Sequence, residues 1–333
     1  MPIKRLAILF LALGLSTLSL GCRTTRVIED SRFLTVGDMP AEVSVPLLQD
    51  RMYYRVPVTI NEQDAGTFLL DTGAALIAAD LGVVRRLELP RRGGGTAIGI
   101  AGREPFSYHD VDSLAVGPLL LNQERVAGLN MLKLHRRRRS RLDGLVGFPA
   151  LAEVPFALDG PARELTFYDP DHFNAPDSVG SFRLIRFRNL PTVEATIGEG
   201  RRIWLVLDTG ADEMLSLPAD VPSFWPEVLA TEIHGRSMNR GVGGVIAGRK
   251  GWVSRLEVFG YHFNDVQANF APPPDSFKQA PVPVGRIGNA FLKRFRLTFD
   301  QRSGRMWAEL DRTQVTQVEP TEAATTGVSS GNR

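Results

Sequence analysis

Short apolar runs, cut by glycine- and proline-rich breaks, recur along most of the chain. Residues 53–60, Tyr-Tyr-Arg-Val-Pro-Val-Thr-Ile, are aromatic and β-branched and predict a strand. Residues 67–70 and 203–207 are continuous apolar stretches of the kind found in buried strands. Residues 111–116 and 253–258 are strand-like, and each half of the pattern ends in an apolar strand, over 164–168 and 305–310. Gly93, Gly94, Gly95, Gly99 and Gly102 interrupt the first part, and Gly241, Gly243 and Gly244 the second. Helical patterns are few: residues 76–87 and 289–294 predict short helices. The expected fold is all-β. At the N-terminus, Lys4 and Arg5 precede an uncharged, mostly apolar run over residues 6–20. That run is shorter than the ~20 residues a membrane-spanning helix needs and fits the core of a signal peptide. Polar residues 23–37 then read as a tether, and the Thr-, Ser-, Glu- and Gly-rich end as a disordered tail.

The apolar pattern repeats. Residues 45–74 align without a gap on residues 182–211, and 11 of the 30 positions are identical. Average usage would give about two. Gly144-Leu145-Val146-Gly147 returns as Gly285-Arg286-Ile287-Gly288, and Leu151 and Asp159 return as Leu292 and Asp300 at the same offset. Two lobes with the same landmarks in the same order imply a duplicated domain. The expected organisation is a signal peptide over 1–21, a tether over 22–44, lobe one over 45–170, lobe two over 171–311 and a disordered tail over 312–333.

Composition narrows the chemistry. The formal net charge is +2, and Lys4 and Arg5 account for it, so no basic surface for nucleic acid is expected. One cysteine excludes an internal disulfide, and its position at the end of the signal core excludes a cysteine protease. The five histidines are scattered, with no HExxH, and no metal site or cofactor is expected. No P-loop and no GxSxG elbow occur. The sharpest charge run is Arg136–Arg139, flanked by His135 and Arg141. It reads as a solvated loop, with contact to anionic lipid, to an acidic partner, or self-cleavage as the other readings.

Chemistry concentrates in Leu69-Leu70-Asp71-Thr72-Gly73-Ala74 and Val206-Leu207-Asp208-Thr209-Gly210-Ala211. In each, an apolar strand delivers an aspartate to a turn where glycine admits close approach. One such buried aspartate would be costly, whereas a duplicated unit brings two together. Two close carboxylates share a proton, so one can act as general base on a water and the other as general acid.

These motifs resemble the retropepsin-like aspartic proteases, with two fused lobes. The family pattern of two apolar residues and Gly recurs downstream: Leu145-Val146-Gly147 ends 76 residues after Asp71, and Arg286-Ile287-Gly288 ends 80 after Asp208. The resemblance spans residues 45–310. It implies a bilobal, pepsin/retropepsin-like fold with pseudo-twofold related lobes and Asp71 and Asp208 as the catalytic pair. Thr72 and Thr209 would bond across the lobe interface, and Gly73 and Gly210 would allow the turns and line the groove. Gly99, Ile100 and Gly102, with Gly241, Gly243 and Gly244, would lie in substrate-covering flaps. The chain would be an endopeptidase acting on peptides or proteins, and a monomer that pairs its own lobes. Two departures stand out: Arg286 replaces an apolar residue and is expected to loosen packing behind Asp208, and Ala74 and Ala211 stand where pepsin has Ser or Thr. Gly21-Cys22 after the signal core resembles the bacterial lipoprotein box. That implies lipidation of Cys22 and a membrane anchor in the cell envelope, with Arg23 pointing to the periplasmic side of the outer membrane. The alternative reading is a non-catalytic envelope lipoprotein that binds peptides or partners in the same cleft.

Overall fold

A computed structural model describes residues 39–131, 141–311, 313 and 319–320. Cys22, the signal segment, most of the tether and the Arg136–Arg139 run lie outside the described residues. The fold is all-β, built as three sheets. An eight-stranded sheet draws every strand from the first half and a nine-stranded sheet draws its strands from the second. Apart from Glu319–Pro320, which pairs off the path of the second, their strand orders are the same. In the first half, Gln63–Asp71 lies between Tyr53–Ile60 and Gly144–Gly147. In the second, Arg201–Asp208 lies between Leu190–Ile197 and Val284–Gly288. Each strand that carries an aspartate therefore runs parallel to the strand ending in its half's downstream glycine. Asp71 stands opposite Gly147, and Asp208 opposite Gly288.

The third sheet joins the halves. Its six strands run Glu42–Pro46, Glu164–Tyr168, Phe156–Asp159, Phe295–Asp300, Arg305–Leu310 and Ser181–Arg183, three from each half. Its centre is the antiparallel pairing of Phe156–Asp159 with Phe295–Asp300. One apolar cluster runs through both halves; within it Phe156 stacks on Phe299 at 4.8 Å, and Phe148 meets both edge-on. The strands of each half thus present one face to a common core. A smaller cluster covers the far face in each half, around Leu69 and Leu145 in the first and around Val206 and Val284 in the second.

Three local expectations are corrected. The span read as a tether to residue 44 already pairs at Glu42–Pro46, because Val43 and Ser44 are buried against Glu164–Tyr168. Residues 76–87 are not one helix. Ile77–Asp80 is a strand buried on both faces, which looks like a helical run in sequence, and the helix is confined to Leu81–Arg86, where Asp80 caps its start. Within the tail, Glu319–Pro320 adds an antiparallel pair to the strand Tyr261–Ala271. Among the described residues, no helix is long and apolar enough to cross a membrane.

Candidate active site

Both aspartates end a strand and enter a tight turn, closed by Ala74 N–H donating to Asp71 O at 3.0 Å and by Ala211 N–H donating to Asp208 O at 3.3 Å. The downstream glycines pack beneath these turns. A Cβ on Gly147 would strike the carbonyls of Ala74 and Leu76, and one on Gly288 the carbonyl of Glu213. The next residues then bond the same turns, Phe148 N–H to Ala74 O at 3.0 Å and Asn289 N–H to Ala211 O at 2.8 Å. Only glycine fits there, which is why both downstream motifs end in it.

The turns of the two halves interlock. Thr72 Oγ1 donates to Leu207 O at 2.6 Å and accepts from Thr209 N–H at 3.1 Å. Thr209 Oγ1 donates to Leu70 O at 2.8 Å and accepts from Thr72 N–H at 3.1 Å. Both threonines are buried, so these four bonds satisfy groups that water does not reach. The aspartates cross over in the same way. A Cβ on Gly210 would stand 2.5 Å from Cγ of Asp71, and one on Gly73 would collide with the carboxyl group of Asp208. Each carboxyl group rests on the turn that follows the other aspartate. Asp208 is buried and Asp71 partly so, and Asp208 Oδ1 accepts the N–H of Gly210 at 3.0 Å.

Two long hairpins reach towards each other. In the first, Arg91–Gly99 pairs with Gly102–Val116, and in the second, His234–Gly241 pairs with Gly244–Val258. Their tips touch: Ala101 N–H donates to Val242 O at 3.3 Å, and Gly243 lies against the backbone of Gly102. Gly241 packs on Ile100, and Gly99 on Val242. Gly244 has open space around it, and its φ of +125° suits the turn. Ile100 of the first tip and Asn239 and Ile246 of the second line one pocket with Ser216 and Arg286 of the second half's floor. The hairpin tips and the strand that carries Arg286 thus share one pocket.

Arg286 does not loosen the packing behind Asp208, as its sequence position suggests. Its largely buried guanidinium donates to Asp208 Oδ2 at 3.0 Å and to Glu213 Oε1 at 2.9 Å. Burial alone would push Arg286 down, but the charges of Glu213, Asp208 and Asp71 outweigh it, and the group stays a cation. Burial holds the Glu213 carboxyl above its ordinary range; Arg286 opposes this, and the Asp208 charge adds to it. Sequence reasoning missed Glu213. The available signal was a paired change, Leu76 and Leu145 of the first half becoming Glu213 and Arg286 at matching places in the second.

Residues 56–150 match the family model described as aspartyl protease. The matched span holds Asp71, Thr72, Gly73, the first hairpin and Leu145-Val146-Gly147. It supports an aspartic protease-like fold and a protease-like function. No curated protein matches the chain. Among the described residues, no group of three or more His, Cys, Asp or Glu side chains is placed to hold a metal ion.

Proposed function

We propose that the chain is an aspartic endopeptidase of the two-lobed, retropepsin-like kind, with Asp71 and Asp208 as its working pair. One observation carries this reading: each aspartate sits on the other half's Asp-Thr-Gly turn, and the two turns are locked by reciprocal threonine bonds. A carboxylate and a carboxylic acid held face to face can activate a water without a nucleophilic side chain. The carboxylate takes a proton from the water, the hydroxide adds to the peptide carbonyl carbon, and the acid gives its proton to the carbonyl oxygen. Collapse of the tetrahedral intermediate breaks the C–N bond. The amine leaves with the proton held by the first aspartate, and the second recovers its own from the hydroxyl. The working form carries one proton on the pair, so activity is bell-shaped in pH.

The hairpin tips would cover a bound peptide, with Gly99, Ile100 and Gly102 facing Gly241 and Gly243. A chain that carries both half-sites needs no second copy, and a monomer fits. The Lys4, Arg5 and 6–20 run ending at Cys22 supports lipid anchoring in a bacterial envelope. Two or three acyl groups on Cys22 would hold the protein at the membrane. A purely peptide-binding cleft would have no use for two paired carboxylates. The test is a cleavage profile of the purified protein on a peptide library. The expected result is internal cleavage at a repeated set of side chains, unaffected by chelators and thiol reagents. Peptides that bind and stay intact would favour the binding reading.

A further inference from the structure

The surroundings of the two aspartates are not equivalent. In the first half, Leu76 and Leu145 pack with Leu69 and Ala78 in an apolar cluster. Glu213 and Arg286 occupy the matching places in the second half, and the same strands form around them. Their side chains are 12% and 14% exposed. The fold itself is served by leucine at these positions, and burying ionisable groups in their place costs desolvation. The charges are therefore explained by what they touch. Arg286 stands opposite Val206 in the parallel pairing, so Asp208, two residues on, shares its face. The guanidinium holds Asp208 Oδ2 on one side and Glu213 on the other.

Among the described residues, few charged groups act on Arg286. Asp71 acts on it from across the turns, and Asp212 acts on Glu213. The neighbouring strand Leu215–Pro218 offers Ser216 opposite it, and the hairpins contribute Ile100, Asn239 and Ile246, none of them charged. Burial favours the neutral form of Glu213, while the guanidinium, 3.0 Å from Asp208 Oδ2, favours a negative charge there.

We propose that Arg286 is a positioning residue that breaks the symmetry of the pair: it fixes Asp208 as the carboxylate and leaves the shared proton on Asp71. Asp208 is then the base that takes the water's proton, and Asp71 the acid that protonates the peptide carbonyl. With one bond to Arg286 and one to Gly210 N–H, the Asp208 carboxylate keeps lone pairs for the water. A guanidinium 3.0 Å from a carboxyl oxygen favours the charged form, so removing Arg286 should raise the acidic limit of activity. The proposal deepens the protease reading and, for its catalytic consequence, rests on it.

The test compares the purified full-length protein with the double variant Arg286→Leu/Glu213→Leu, which installs the first half's residues. Two measurements are made. In the pH profile of kcat/KM, the acidic limb of the variant moves up by about 1–3 units, the size of effect a neighbouring arginine has on an aspartate. Carboxyl carbon-13 spectra of aspartate-labelled protein show Asp71 protonating before Asp208 in the wild type, with that order lost in the variant. An unchanged acidic limb with an unchanged order overturns the proposal. If the variant fails to fold, the wild-type spectra decide: Asp208 protonating before Asp71 overturns it. If the wild type cleaves no peptide, the protease reading fails, while the spectra still test Arg286.

Discussion

Thr72 and Thr209 each spend a hydroxyl on the other half's backbone, donating to Leu207 O and Leu70 O while accepting the partner threonine's N–H. Thr209→Ala removes one such hydroxyl and leaves the Thr72 N–H and the Leu70 carbonyl buried without it. The expected loss of stability is about 1–3 kcal/mol. Activity should fall but persist, because both carboxyl groups remain. Denaturant unfolding and peptide hydrolysis of the same preparation check this, and a variant as stable as the wild type would contradict it. The aspartates, threonines and glycines were legible in the sequence because a symmetric site needs the same short motif twice, and repetition stands out. Arg286 was legible only as an anomaly. It lies 78 residues from Asp208, and their meeting depends on the parallel register of two strands, which a lone sequence does not display.

The strands and hairpins hold the site through features that are partly local and partly not. Asp80 ends the strand Ile77–Asp80, accepts Gly82 N–H at 2.9 Å and Met131 N–H at 3.2 Å, and pairs with Arg141 at 2.7 Å. Burial pushes its carboxyl up, but these bonds outweigh burial and hold it below the usual aspartate value. A lowered folded value stabilises above the unfolded value, near 3.9, and that stability is lost as pH falls through the folded value. Asp80→Asn should therefore cost about 1–2 kcal/mol at neutral pH. The gap to wild type should narrow in acid, as melting curves at several pH values would show; a gap that is constant with pH would contradict this. At the hairpin tips, Gly243 has φ +91° and lies against the Gly102 backbone. Gly243→Ala adds strain of about 1–3 kcal/mol to the closed arrangement, so KM for peptides should rise by about 5- to 150-fold. An unchanged KM would show that the tips do not close on substrate. Glycine clusters marked both hairpins in sequence, but their length was underestimated, since 111–116 and 253–258 are only the inner ends of Gly102–Val116 and Gly244–Val258. The misread helix at 76–87 has a similar cause, because a short strand buried on both faces carries no alternation to identify it.

At the scale of the molecule, two sheets with the same strand order are held by a third to which each half gives three strands. The duplication was plain in sequence. The shared sheet was not, because its pairing of Phe156–Asp159 with Phe295–Asp300 joins segments that read as two separate lobe ends. Separating the halves would expose Phe156 and Phe299 and leave both central strands as unpaired edges. Each half expressed alone, cut between residues 170 and 180, should be insoluble or self-associated. The two co-expressed should copurify as one complex, as size-exclusion chromatography would reveal. A soluble, monomeric single half would contradict the shared core. The central claim is that one water-activating device is completed only by an aspartate from each half. Its most direct test is the initial rate of peptide hydrolysis by wild type, Asp71→Asn and Asp208→Asn, with circular dichroism on the same samples. On this proposal each aspartate supplies one half of an acid–base pair, so both variants should fold as the wild type does, and each should lose turnover by at least about 10²–10⁴-fold. A folded Asp71→Asn or Asp208→Asn protein that cleaves as fast as the wild type would contradict the account.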